Sequence, residues 1–165
     1  SWEGHIVSSG MEESETSATI KDAVFLVVYL DNPATVYWEV YDLNPVGGLD
    51  GVRYIYISTL PQNSVGAIQF KVSSDLAETL GGKETISLFY YDESSGSWKA
   101  IPTGYLGDDN EGNLYFKAIV DKDGLYAVAS TGAKPTQFPS TAIVAIIVVA
   151  TVAAVILAYY YTSKR

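Results

Sequence analysis

Two acidic clusters are the first residues in this chain that could do chemistry. Asp108-Asp109-Asn110-Glu111 lies between Gly107 and Gly112, and Asp121-Lys122-Asp123-Gly124 has the composition of a tight turn. Carboxylates on adjacent loops offer the hard oxygen ligands that Ca²⁺ takes. The second cluster is only a fragment of a calcium loop, because no bidentate Glu follows at the required spacing. Solvated acidic turns are therefore the expected use of both. Glycoside hydrolysis needs two acids across a cleft, but the 19 acidic residues offer many pairs and their spacing isolates none. The one histidine, His5, has no second histidine with which to share a metal. The chain has no cysteine, which removes disulfides, thiolate zinc sites, iron–sulfur clusters and a Cys nucleophile. Trp98 follows the turn Ser94-Ser95-Gly96-Ser97; it is either a sugar-stacking platform or, as expected, a ring that seals the end of a core. No catalytic residue, cofactor or metal ligand emerges, so the chain is expected not to be an enzyme.

Composition narrows the partners. The chain has 165 residues, of which 48% are hydrophobic and 13% aromatic, so it can bury a core. Its formal net charge is −9, and binding nucleic acid through phosphates needs clustered Lys and Arg. Nucleic acid is excluded as an expected partner.

The elements that would hold any site have a period of two rather than 3.6. Ala23–Leu30 is a near-continuous apolar run, as in a strand covered on both faces. In Thr35–Asp42, Val36, Trp38 and Val40 share the natural core face, and Tyr37, Glu39 and Tyr41 share the other. In Val52–Ser58, Tyr54 and Tyr56 lie with Val52 on one side, and Arg53, Ile55 and Ile57 on the other, which leaves the core side open. Further strands are predicted at Val65–Val72, Glu84–Tyr91, Ser97–Ile101, Asn113–Val120 and Gly124–Ser130. Turn residues separate them: Asp31-Asn32-Pro33, Gly47-Gly48, Gly81-Gly82, Ser95-Gly96 and Asp123-Gly124. A helical turn is predicted over Ser74–Leu80, capped by Ser73 or Ser74. About eight short strands with frequent turns predict an all-β fold, an antiparallel β-sandwich over residues 18–130. Residues 1–17 are polar and acidic and predict a flexible lead-in.

The C-terminus predicts a membrane anchor. Ala142–Tyr160 is 19 residues without a charge; as a helix it spans roughly 28 Å, about the thickness of a bilayer core. A transmembrane helix is therefore expected over residues 142–161, with the linker 131–141 before it and the basic tail 162–165 after it. Tyr159, Tyr160 and Tyr161 fall where an interfacial aromatic belt sits, and Lys164 and Arg165 favour the cytoplasmic side. Outside those two residues, 8 Lys and Arg stand against 19 Asp and Glu, so the folded part is expected outside the cell. An outside domain needs an export signal. Residues 1–20 are too polar to be one, so a removed signal with Ser1 as the mature N-terminus is expected. Tail-anchored insertion, with the domain inside, is the alternative.

From Val65 to Ser130 the order of motifs resembles the PGF-pre-PGF domain of archaeal surface proteins. The elements are Ile68-Phe70-Val72, the helical stretch Asp75–Leu80, the apolar strand Ile86–Tyr91, then Trp98-Ile101-Thr103, and finally Gly124-Tyr126-Ala127-Val128. Phe138-Pro139-Ser140 before the apolar run is similar to the anchoring tails of such proteins, although no Pro-Gly-Phe triplet is present. The resemblance implies a surface β-domain beside a C-terminal anchor, structural or adhesive work, and no catalytic residues. It does not extend to residues 1–62.

The expected role is a single-pass anchored extracytoplasmic module in a cell-envelope or membrane-protein assembly. Protein subunits or a second copy would be its partners, with the bilayer held through residues 142–161. Tyr37, Tyr41, Tyr54 and Tyr56 are the candidate partner-binding residues, as an aromatic sheet surface that a monomer would rarely leave bare. The alternative is an anchored module that binds carbohydrate or Ca²⁺.

Overall fold

The computed structural model describes residues 5–20 and 26–132. These residues form eleven strands, one helix and one 3₁₀ turn. The strands are β1 (Ile6–Ser14), β2 (Ser17–Ile20), β3 (Leu26–Leu30), β4 (Ala34–Tyr41), β5 (Gly51–Leu60), β6 (Val65–Ser73), β7 (Ile86–Asp92), β8 (Ser97–Ile101), β9 (Thr103–Asp108), β10 (Asn113–Ile119) and β11 (Gly124–Ser130); α1 (Ser74–Thr79) and the turn Lys83–Thr85 lie between β6 and β7. A six-stranded sheet has the order β1-β4-β5-β11-β7-β8, and a five-stranded sheet the order β2-β3-β6-β10-β9. Every pairing is antiparallel. The fold is all-β and sandwich-like, as expected.

One core joins the inner faces of the two sheets. Val36, Val40, Ile55, Ile57, Leu88 and Val128 from the larger sheet pack with Val28, Ile68, Phe70, Leu114 and Phe116 from the smaller. Phe70 and Phe116 stand opposite each other in register and stack with centroids 5.4 Å apart. Each such fully buried side chain contributes about 1.5–3 kcal/mol. Ser73 caps α1 by accepting from the Leu76 N–H at 3.3 Å, and α1 buries Ala77 with Leu76 and Leu80 beside it.

Trp38 lies on the core face of β4, as its spacing predicts. The open question of β5 is settled: Ile55 and Ile57 face the core, while Tyr54 and Tyr56 face out. Val52 also packs against the core, because a register shift opposite Val128 and Ala129 locally breaks the alternation.

Two expectations are corrected. The segment expected as a flexible lead-in instead contributes β1, which pairs with β4 along nearly its whole length, and the start of β2. Its apolar alternation is missing because the bulk comes from the neighbour: Trp38 lies over Gly10, its partner in register, and a Cβ on Gly10 would meet the ring at 2.2 Å. Strand β9 was likewise not expected; with Gly104 and Gly107 it sets only one ring, Tyr105, against the core. Residues 133–141 of the linker, the apolar run 142–161 and the anchors Tyr159, Tyr160, Tyr161, Lys164 and Arg165 lie outside the described residues. Among the described residues no helix is long and apolar enough to cross a membrane.

Candidate functional site: the outer face of the six-stranded sheet

Strand register arranges the outer face of the larger sheet in rows. One row runs Ile6, Tyr41, Tyr54, Ala127, Phe89 and Ala100, from β1 across to β8. In the next, Ser9 stands beside Glu39, Glu39 beside Tyr56 and Tyr56 beside Leu125; Tyr91 and Trp98 close it at the far edge. A third begins with Met11, Tyr37 and Ser58. The four candidate tyrosines thus share one face; spacing pairs Tyr37 with Tyr41 and Tyr54 with Tyr56 and leaves open which way the second pair points.

That face is not bare. Tyr41, Tyr54, Phe89, Leu125, Ala127 and Ala129 form a second buried cluster, against which Val46, Leu49, Tyr56, Tyr91 and Trp98 pack. Residues 42–50, between β4 and β5, supply the cover. Asn44 shapes this loop: its side-chain oxygen accepts from the Val46 and Gly47 N–H groups at 3.0 and 2.9 Å, and its amide donates to the Leu49 carbonyl at 2.7 Å. Gly47 and Gly48 have φ of 75° and 80°, a conformation that glycine adopts without strain. The Trp98 indole N–H donates to the Gly47 carbonyl at 2.8 Å, and the Tyr54 hydroxyl donates to the Leu49 carbonyl at 2.8 Å. The loop is tied to strands from two parts of the sheet.

The tyrosines therefore divide. Tyr41 and Tyr54 are only 4% and 3% exposed, which corrects their expected role as contact residues. Tyr56 is half-buried, and Tyr37 sits at the rim, 36% exposed. Tyr37 and Tyr41 both donate their hydroxyls to the Glu39 carboxylate. The hydrogen bond to Glu39 raises the Tyr37 pKa, and burial raises those of Tyr41 and Tyr54. Exposed apolar side chains remain at this end of the sheet, Ile6, Val7, Met11 and Leu43, with Met11 in register beside Tyr37 and with exposed Ser9 and Glu13 on the same face as Met11. Sequence reasoning missed this surface, because it assigned β1 no structure. It missed the covering loop too; the Asn44-Pro45 and Gly47-Gly48 signals mark a turn but not what the turn lies against.

The acidic clusters serve the fold. Asp109 accepts from the Glu111 and Asn113 N–H groups, the Asn113 amide and the Tyr115 hydroxyl, all at 2.9–3.0 Å. Donation from Asn113 brings its pKa down to about 2. Asp123 accepts from the Thr59 N–H at 2.8 Å and the Thr59 hydroxyl at 2.7 Å, pinning the β5–β6 turn to the start of β11. Among the described residues no three His, Asp or Glu side chains converge as metal ligands would. His5 is exposed, with Nδ1 3.5 Å from Asp42 Oδ2. Trp98, buttressed by Tyr91 at 5.3 Å and bonded to Gly47, seals a cluster rather than presenting a free ring. A shallow open cleft of about 170 Å³ lies elsewhere, lined by Tyr90, Lys99, Ile101, Ile119, Lys122 and Tyr126 among others.

No family model matches the sequence, and neither the curated proteins nor the solved structures give a match.

Proposed function

We propose that this chain is a single-pass, membrane-anchored, extracytoplasmic β-sandwich with a structural, adhesive or accessory-subunit role in a cell-envelope or membrane-protein assembly. It works by surface contact and not by catalysis. The observation that carries this is the uncharged apolar run from Ala142, which follows a folded all-β unit that closes with β11 at Ser130. The resemblance to archaeal PGF-pre-PGF domains points the same way. Support also comes from how the polar side chains are used: Asp109, Asp123 and Asn44 are bonded to the domain's own backbone. At the β1 end, the larger sheet leaves exposed apolar side chains, Ile6, Met11 and Tyr37, among polar and acidic ones, and a strand edge.

The test has two arms. Protease added to intact cells is expected to digest the folded domain and spare the tail; full protection would place the domain inside. Protein extracted in mild detergent is expected to bring a fixed set of subunits with it. Retention on glycan without subunits, or turnover of a sugar or peptide, would overturn the contact role.

A further inference from the structure

We infer that β1 is a docking strand, whose open edge takes an extended, lysine- or arginine-bearing segment of another protein as an added strand of the six-stranded sheet. This deepens the contact role proposed above and rests on it.

Position comes first. β1 ends the sheet order, and among the described residues nothing pairs with its far side. It has nine residues, whereas the other sheet edges, β8, β2 and β9, have five, four and six. At about 3.3 Å per residue, nine residues present roughly 30 Å of edge. Exposed edges of this kind are commonly blunted by charged side chains, Pro, bulges or shortness; the charges of β1, Glu12 and Glu13, are both acidic, so they turn away acidic strands and not basic ones. β1 has no Lys and no Pro, and its one register shift lies near its start, between Ile6 and Ser8. From Ser8 to Ser14 the edge is regular.

The backbone faces the right way. Asp42 donates its N–H to the His5 carbonyl, so Asp42 turns its peptide groups toward β1. Alternation along β4 makes Val40, Trp38 and Val36 do the same. Their register partners Ser8, Gly10 and Glu12 face inward, which leaves Ser9, Met11 and Glu13 to point N–H and C=O outward.

Charge selects the occupant. Residues 5–20 and 34–50, which hold β1, β2, β4 and the covering loop, contain Glu12, Glu13, Glu15, Glu39, Asp42 and Asp50 and no Lys or Arg. A second copy would bring the same acids and a net charge of −9 against itself. A basic strand is complementary, with Glu12 and Glu13 meeting charge on both of its faces. Met11, 70% exposed and next to Tyr37, offers an apolar neighbour to the incoming residue beside it.

The test uses the full chain in detergent and two labelled peptides, one with Lys and one with Glu. In each, pairs of charged residues alternate with pairs of Val, so that charge lies on both faces of the strand. Anisotropy is expected to show binding of the Lys peptide alone, weakening at least about tenfold between about 50 and 500 mM salt. Hydrogen exchange is expected to slow at Ser9, Met11 and Glu13 on binding. Ser9→Pro with Met11→Pro removes two outward donors at an edge, where proline is tolerated, and leaves every charge in place. It is expected to abolish binding with the near-ultraviolet spectrum unchanged. Should that variant unfold, Glu12→Lys with Glu13→Lys decides, by moving preference to the Glu peptide. Equal binding of both peptides, unaltered binding by the proline variant, or amides at these positions already protected without peptide would overturn the proposal. Self-association through β1 would also overturn it. Loss of the edge with subunits still co-purifying would sink this inference and leave the contact role standing.

Discussion

The Trp98 ring on β8 meets the Tyr54 ring on β5 at 6.0 Å between centroids, although β11 and β7 lie between their strands. Three strand spacings amount to roughly 14 Å, so the two side chains lean across the sheet. Ala127 and Ala129 of β11 make this geometry available, because their methyl groups leave the sheet surface low between taller neighbours. The loop 42–50 then lies over the depression, bonded to both rings' polar atoms.

Trp98 is thus expected to hold the covering loop. Trp98→Ala should lower unfolding stability by about 2–4 kcal/mol, as truncation of a packed aromatic does. Trp98→Phe keeps a ring but loses the bond to Gly47, and should cost about 1 kcal/mol. Denaturant titration measures both, and faster exchange at Val46 and Gly47, whose N–H groups bond to Asn44, would report the loosened loop.

The legible part of this fold was the part whose own residues carry the pattern. Ser97–Ile101 and Gly124–Ser130 are strands with the predicted bounds, and Ser73 caps the predicted helical turn. β1 was illegible because its inward positions, Ser8, Gly10, Glu12 and Ser14, are small or polar, and its contact bulk is Trp38 on the next strand. Tyr37 and Tyr41 have the same spacing from Glu39 and opposite exposure. Periodicity assigns a face; what covers the face depends on a loop whose path has no period.

Calcium is expected to leave the melting temperature unchanged, since four donors already fill the Asp109 carboxylate and Thr59 fills that of Asp123. A site saturated at 100 times its dissociation constant would add about 2.7 kcal/mol, and calorimetry with Ca²⁺ and then chelator would reveal it. Asp123→Ala, in contrast, should cost about 1–3 kcal/mol, because the buried Thr59 donors lose their acceptor.

Acid should weaken the domain through Asp109. Its folded pKa of about 2 lies below the unfolded value near 3.9. The stabilisation it contributes is present above about pH 4 and is lost as pH falls toward 2. Asp92, held low mainly by Lys99, has the same sign. The denaturant midpoint should fall between about pH 6 and pH 2.5, and Asp109→Asn should narrow that difference. Alkali acts in the opposite sense: burial raises the pKa of Tyr126, whose hydroxyl donates to the Lys122 carbonyl. Its contribution is complete below about pH 10, the unfolded value, and is lost as pH rises through the folded one. Tyrosinate absorbance against pH should show a late fraction, to which Tyr41 also contributes, and Tyr126→Phe should reduce it.

The joint between β1 and β4 can be tested at Gly10. Its partner in register, Trp38, lies across it with ring atoms 2.2, 2.6 and 2.8 Å from where a Cβ would be. These are atoms of a rigid bicycle packed against the main core, so the ring cannot yield by rotating a flexible end. Gly10→Ala must therefore move Trp38 or push β1 away from β4. Small-to-large changes in a packed site cost about 1–3 kcal/mol, and that loss is expected here even though β-propensity favours Ala over Gly. Tryptophan fluorescence should shift with it, since Trp38 leaves its half-buried position. Trp38→Leu in the same chain should relieve the clash, so the double variant should be more stable than the two single losses added together. Strict additivity would mean that the ring and the glycine do not meet, and that β1 is held by its hydrogen bonds alone.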